Sequence, residues 1–181
     1  MYLYYEEPPI PDLYFQGDVL NEVFFPSAVS GSSILQTRNI PLSTISTPLI
    51  SSEIVALEIH QEKGIIISQS CDVQRQDRGD LVLVSPVRKL ADFYTLLTQV
   101  KGVNSAESFI TQVRDNKINY YFYLPACSQF EESYVDLTTI TSINKSLLNI
   151  NNRVVSLSAY ARHWFQHSLS TYLGRPFDQN K

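Results

Sequence analysis

The chain is short of cysteine, of basic residues and of glycine, and each shortage removes a class of function. Only two cysteines occur among 181 residues, Cys71 and Cys127, with no CxxC pair and no Cys/His cluster at zinc-finger spacing. Neither a disulfide framework nor a structural zinc site is expected, and the pattern suits a reduced, cytoplasmic setting. Lys and Arg number 14 against 18 Asp and Glu, a net charge of −4. Proteins that hold long nucleic acid through its phosphates carry a basic excess, so bulk DNA binding is not expected, while a local patch for short RNA stays open. Glycine is limited to six residues. No Gly-rich phosphate loop, Walker sequence or GxSxG elbow is present, and no cofactor is expected. No apolar stretch approaches the ~20 residues that span a bilayer. The first residues, MYLYYEEPPIP, lack a basic start followed by an apolar core, so neither a signal peptide nor membrane contact is expected.

What the chain does have is apolar and aromatic. Hydrophobic residues make up 44% and aromatic ones 12%, with 11 Tyr and 9 Phe, which suits a strand-rich globular chain able to bury a sizeable core. The most informative stretch is GIIISQSCD, residues 64–72, followed by RGDLVLVSPV at 78–87. Ile65, Ile66 and Ile67 form a β-branched run that predicts a strand buried on both faces. Ser68, Gln69, Ser70, Cys71 and Asp72 stand at its exit. The apolar run Leu81 to Val84 follows a polar loop, which places Cys71 and Asp72 at a sheet rim.

Residues 1–16 are rich in Pro and Tyr, and Pro8, Pro9 and Pro11 argue against a helix there. Gly17 to Leu20 opens a strand, with Val23 to Phe25 continuing or following it until Pro26. Residues 27–52 are rich in Ser and Thr without apolar periodicity and read as a long loop. Alternation predicts a strand over 54–60. With Gln61 to Gly64 as a turn, this strand forms a hairpin with 64–68. Helical spacing of Leu90, Phe93, Leu97 and Val100 predicts a helix over 89–101, stopped at Gly102. Asn104 with Glu107 resembles a capping box for a second helix to about 115. Strands follow at 120–124 and 135–143. A last helix over 156–173 carries Leu157, Tyr160, Ala161, Trp164 and Tyr172 on its buried stripe, with His163 and Gln166 outward.

GDVL at Gly17–Leu20, GIIIS at Gly64–Ser68 and LVLVSPV at Leu81–Val87 resemble the strand order of MazF/PemK-type toxin proteins. The resemblance implies an SH3-like barrel over residues 17–88. The family's RNA-cleaving proteins place Arg, usually before Pro, ahead of the Ser-ending strand, and Thr after the later Pro. Here Glu62 and Lys63 occupy the first positions, and Val87 and Arg88 follow Pro86. Loss of both the phosphate-stabilising Arg and the hydroxyl argues against ribonuclease action. The SQSCD segment with the C-terminal LGRPF is also similar to a set of uncharacterised bacterial proteins.

The candidate binding residues are Ser68, Ser70, Cys71, Asp72, Arg75 and Arg88. A carboxylate next to Cys71 raises its thiol pKa, and free cysteine is often buried, so the expectation for Cys71 is structural. Asp72 needs a backbone N–H, a ligand or a cation, and Arg75, Arg78 and Arg88 are the cations nearest in sequence. His163 and His167 stand at i and i+4, which can present two nitrogens to a metal with His60 or Asp72 as a third ligand. No HExxH pattern accompanies them, and no metal site is expected. Tyr120 to Tyr123 could stack bases, but alternating aromatics more often serve a core.

These readings give an α+β fold on one domain: a small curved antiparallel sheet or SH3-like barrel, a helical pair inserted over 89–116, further strands over 118–145 and a C-terminal helix. The expected function is a non-enzymatic binding module of a bacterial intracellular system. Its Ser68–Asp72 rim would meet a partner protein or short RNA, the alternative being a divergent endoribonuclease-type toxin.

Overall fold

Apolar residues on both faces of two adjoining strands set the architecture. A computed structural model of the chain describes residues 4–6, 12–28, 57–75 and 80–174. Strands β1 (Tyr5–Glu6), β2 (Asp18–Ala28) and β3 (Leu57–Ile66) are followed by helix α1 (Ser70–Gln74), strand β4 (Leu81–Lys89) and helices α2 (Leu90–Lys101) and α3 (Val103–Arg114). Strands β5 (Tyr121–Leu124), β6 (Ser133–Asp136), β7 (Thr141–Asn144) and β8 (Arg153–Leu157) precede helix α4 (Ala159–Leu173). Among the described residues the strands form one eight-stranded sheet in the order β1-β8-β2-β3-β4-β6-β5, with β7 on β4, and every pairing is antiparallel. The fold is thus mixed α and β around an open antiparallel sheet.

Val19 and Ile65 point to one core, with Phe122, Leu124, Leu157 and the α4 residues Ala161, Phe165 and Leu169. Leu20 and Ile66, their immediate neighbours, point to a second with Val23, Val73, Val82, Val84 and Ile143. Strand residues i and i+1 face opposite sides, so β2 and β3 are covered on both, as the Ile65–Ile67 run predicts. A third cluster joins Leu90, Leu97, Ala106 and Ile110 of the helical pair to Tyr134. Arg114 of α3 ties that pair to the sheet, donating from two nitrogens to Glu132 at 2.8 and 2.7 Å. The Arg114 guanidinium holds the Glu132 carboxyl below its ordinary range.

The sheet does not close through a backbone ladder, so a complete SH3-like barrel is not formed by hydrogen-bonded strands alone. Its two ends are instead bridged by side chains. The Tyr4 hydroxyl donates to the Tyr123 carbonyl at 2.8 Å and the Tyr5 hydroxyl to the Pro125 carbonyl at 2.7 Å. Burial pushes both phenols well above their ordinary pKa.

Several local expectations are corrected. The hairpin over 54–60 and 64–68 is instead one strand, β3, in which Gln61, Glu62 and Gly64 pair with Phe24, Val23 and Leu20 of β2. Its turn-like look comes from a bulge in the partner strand between Leu20 and Val23, where Glu22 has φ +58°. Gly64 lies opposite, and a Cβ there would sit 2.9 Å from Val23 Cβ, so close packing requires this glycine. Residues 54–56 lie outside the described residues. Pro26 does not end β2, which continues to Ala28. Most of the expected loop over 27–52 lies outside the described residues. The strand expected over 135–143 is split, because the Asp136 side chain accepts from the Thr138 N–H and hydroxyl and turns the chain. Helix α3 begins after Gly102 with no side-chain cap, so the Asn104 capping box is not formed.

The last correction concerns the C-terminal helix. Ser158 caps α4 by accepting from the Ala161 N–H at 3.2 Å, which leaves Leu157 in strand β8. The buried stripe is therefore Ala161, Phe165 and Leu169, with Tyr172 packed beside it. Phe165 is 0% exposed, whereas Trp164 is 50% and Tyr160 48% exposed. The expected burial of Trp164 fails because the expected stripe steps three residues from Ala161 to Trp164, whereas the buried face steps four, from Ala161 to Phe165 and Leu169. His163 and Gln166 do face outward.

Candidate functional site

The β3 run ends where its ladder gives way to side-chain bonding. Ile67 and Ser68 both donate their N–H to the Leu83 carbonyl, at 2.9 and 3.4 Å. In return the Leu83 N–H donates to Ser68 Oγ at 2.9 Å, so a serine hydroxyl continues the pairing. The chain then turns into α1, where the Asp72 and Val73 N–H groups donate to the Gln69 carbonyl. Val73 is buried in the second core and Gln74 Nε2 donates to the Tyr14 carbonyl at 3.1 Å, which anchors the short helix.

Gln16, buried just before the GD pair, joins this rim to α4. Its Nε2 donates to the Ile67 carbonyl at 2.6 Å, and its Oε1 accepts from Gln166 Nε2 at 2.8 Å. Its backbone N–H donates to Ser70 Oγ at 3.0 Å, and its carbonyl accepts from Arg162 Nε at 2.9 Å. Gly17 (φ +87°) has no room for a side chain, since a Cβ there would lie 2.9 Å from Leu157 Cδ1. Asp18 is fully buried, accepting from Ser156 Oγ at 2.6 Å and pairing with Arg153 at 3.0 Å. The GD pair is thus a structural joint that fixes the rim against β8 and α4.

The outcome is a groove of about 990 Å³ between the rim and α4. It is lined by Gln16, Ile67, Ser68, Gln69, Ser70, Cys71, Asp72 and Leu83 on one side, and by Gln166, Leu169, Ser170, Leu173 and Gly174 on the other. Four of the six candidate residues come together here. Cys71 is exposed, with Sγ 3.8 Å from Gln69 Oε1, so its expected structural burial is corrected: Val73, not Cys71, turns inward. Asp72 is half-buried and partnered. Arg75 follows α1, is exposed, and accepts Lys145 Nζ on its carbonyl at 3.0 Å. Arg78 lies outside the described residues.

Arg88 lines a different groove, of about 920 Å³, with Glu62, Lys63, Val87, Lys89, Asp92 and the segment 126–131. Its guanidinium lies 3.9 Å from Glu62 and 3.5 Å from Asp136, and Lys89 pairs with Glu131 at 3.0 Å. Arg88 therefore does not complete a site with Ser70 and Asp72. Instead, the positions that the toxin resemblance singles out, Glu62, Lys63, Val87 and Arg88, share this second groove. The sequence signal for that was available, as both pairs flank the same strand crossing, but the misplaced 61–64 turn hid it.

The remaining candidates are placed as follows. Tyr121 packs among Phe93, Phe109 and Tyr134 with ring centroids 5.3, 6.4 and 4.9 Å away. Burial pushes the Tyr121 and Tyr134 phenols up to about 12. Phe122 lies in the main core and the Tyr123 hydroxyl donates to Glu132 at 2.6 Å. This strand serves packing on both faces and leaves no open stack of rings for bases. His167 packs edge-on to Trp164 at 6.1 Å, beside exposed His163. Among the described residues no three His, Cys, Asp or Glu gather to hold a metal ion, and no helix is long and apolar enough to cross a membrane. The chain matches no protein-family model and no curated protein.

Proposed function

We propose that this protein is a non-enzymatic binding module of the bacterial cytoplasm, built on an SH3-like barrel related to MazF/PemK-type toxins. Its Ser68–Asp72 rim takes a partner protein or short RNA. The observation that carries the reading is the groove beside α4, where the rim stands open to solvent and yet is fixed from below by Gln16. A preorganised, accessible surface loses little on ordering when a partner docks. The tyrosine bridges between the sheet ends, and the way β4 pairs β7 and β3 before turning onto β6, support the barrel reading. A pull-down from host extract tests it: partner capture should fall with Asp72→Ala and Cys71→Arg, and capture unchanged by both removes the rim from the account.

The second groove favours one rival reading, a divergent endoribonuclease. In that reading Glu62 would act as the general base, and Lys63 and Arg88, which line the same groove, would stabilise phosphate charge. Against this, Glu62 and Asp136 both approach Arg88 and occupy its charge. Expression in the host separates the two: normal growth with intact bulk RNA fits the binding module, and growth arrest relieved by Arg88→Ala and Glu62→Gln fits the nuclease.

A further inference from the structure

We propose that Tyr4 to Glu6 are a latch for the second groove. They hold its wall, residues 125–131, in place, and their release opens the groove while the sheet stays folded. The inference goes beyond the binding-module reading and does not depend on what either groove takes.

The latch has two sides. On one, β1 pairs with β8 at Tyr5–Leu157 and Glu6–Ser156, and the Tyr4 carbonyl accepts from the Ser158 N–H at 3.0 Å. Glu6 stands 3.9 Å from Arg162 of α4. On the other side the bonding passes to side chains. The Tyr5 hydroxyl donates to the Pro125 carbonyl, where the wall begins, and the Tyr4 hydroxyl to that of Tyr123 two residues earlier. The Tyr5 ring stands edge-on to Phe130 at 5.5 Å, and the Tyr4 ring lies 6.5 Å from Phe122.

Cys127 and Phe130 line the second groove together with Glu62 and Arg88. The Cys127 N–H donates to the Phe130 carbonyl at 3.0 Å, so the segment closes on itself and moves as one piece. Its far end is fixed to β4 by the Lys89–Glu131 pair at 3.0 Å. Tyr5 thus grips the near end and the middle of a segment that β4 anchors at its far end. Tyr4, Tyr5 and Cys127 are half-buried and pack over the first core, whose buried members include Val19, Ile65, Phe122 and Phe165. Lifting this outer layer leaves the pairing of β2, β3 and β4 intact, which is the condition for a local opening that needs less energy than global unfolding.

The test uses the full chain carrying Cys71→Ser, so that Cys127 is the one thiol present. Maleimide labelling of Cys127 and hydrogen exchange at the Ser158 amide are followed in native buffer. They are compared in this parent, in the parent with Tyr4→Phe and Tyr5→Phe together, and in the parent with Val84→Ala, which loosens the second core away from the latch. Circular dichroism verifies that each form is folded. The Phe pair keeps both rings and removes both phenol bonds, so labelling and exchange should quicken together by about fivefold or more. Tyr5→Phe alone, the milder variant, should quicken both by about twofold or more. Val84→Ala should change neither by more than about twofold. Labelling that quickens as much in Val84→Ala as in the Phe pair shows global unfolding and overturns the latch. Labelling unchanged by the Phe variants, or Ser158 exchange that quickens without it, shows that the wall is not held by Tyr5 and overturns it too. So does a parent Cys127 labelled as fast as Cys71 in the wild-type chain, since the latch would then cover nothing.

Discussion

Replacing Gln16 with Met tests whether the rim is held from beneath. The substitution keeps length and approximate volume but removes both side-chain hydrogen bonds, the 2.6 Å bond to the Ile67 carbonyl and the 2.8 Å bond from Gln166. The backbone bonds of Gln16 to Ser70 and Arg162 remain available, so the side chain alone is under test. Two such bonds contribute roughly 0.5–1.5 kcal/mol each, and a buried carbonyl left without a partner costs about 1–3 kcal/mol. The expected loss is about 2–6 kcal/mol, a large share of the ~5–15 kcal/mol of an ordinary domain. Urea denaturation followed by circular dichroism measures it. Gln166→Ala, which removes only one bond from the exposed side, should cost about 1 kcal/mol or less. Hydrogen exchange should also quicken at the Asp72 and Val73 amides, which donate to Gln69 within the rim. A Gln16→Met loss below about 0.5 kcal/mol, or one equal to that of Gln166→Ala, refutes the reasoning.

Gly17→Ala combines a positive φ with a Cβ 2.9 Å from Leu157, and should cost about 2–4 kcal/mol in the same urea assay. Adding Leu157→Ala should couple with it, the pair costing less than the sum of the single losses, because the contacts with Leu157 Cδ1 and Cγ are removed and only the 3.1 Å contact with Cβ is left. Trp164→Ala should change stability by less than about 0.5 kcal/mol, whereas Phe165→Ala should cost about 3–5 kcal/mol. Native Trp164 emission should lie toward the red, as for a ring half in water. Tyr4 and Tyr5 have phenol pKa values raised first by burial, and so do Tyr121, Tyr123 and Tyr134. A raised folded-state value contributes stability in full below the ordinary value of 10.0, and loses it as pH climbs through 10 toward 12 and above. Tyrosinate absorbance should therefore lag behind model tyrosine and then rise with unfolding, and Tyr5→Phe should reduce the alkaline sensitivity.

How much was legible depended on whether a signal was local. The Ile65–Ile67 run, the helices α2 and α3 and strand β5 are written in periodicity, and the structure has them close to the expected bounds. Strand β8 was missed because Arg153 to Leu157 adjoins a helix and shares its apolar texture. Only the Ser158 cap marks the boundary; the buried face differs by one residue, Phe165 in place of Trp164, because it steps by four from Ala161 and not by three. The 61–64 turn was misread because Gly64 answers a bulge in β2, a strand far away in sequence. Of the site, the cluster from Ser68 to Asp72 was legible as the polar exit of a buried strand. Its facing wall, Gln166, Leu169 and Leu173, was not, since it comes from α4 through tertiary packing. Nor could Arg88 be separated from Asp72 by sequence proximity, because β4 carries it past the sheet crossing to a second groove.

The most direct measurement is site-specific photo-cross-linking in the host cell. A benzophenone amino acid is placed either at exposed Cys71 in the rim groove or at exposed Leu96, which lines the second groove. Irradiation should give a discrete protein adduct from position 71, diminished by Leu173→Glu, and none from position 96. Adducts arising from position 96 alone, or adducts from position 71 indifferent to Leu173→Glu, contradict the assignment of the rim groove as the binding surface.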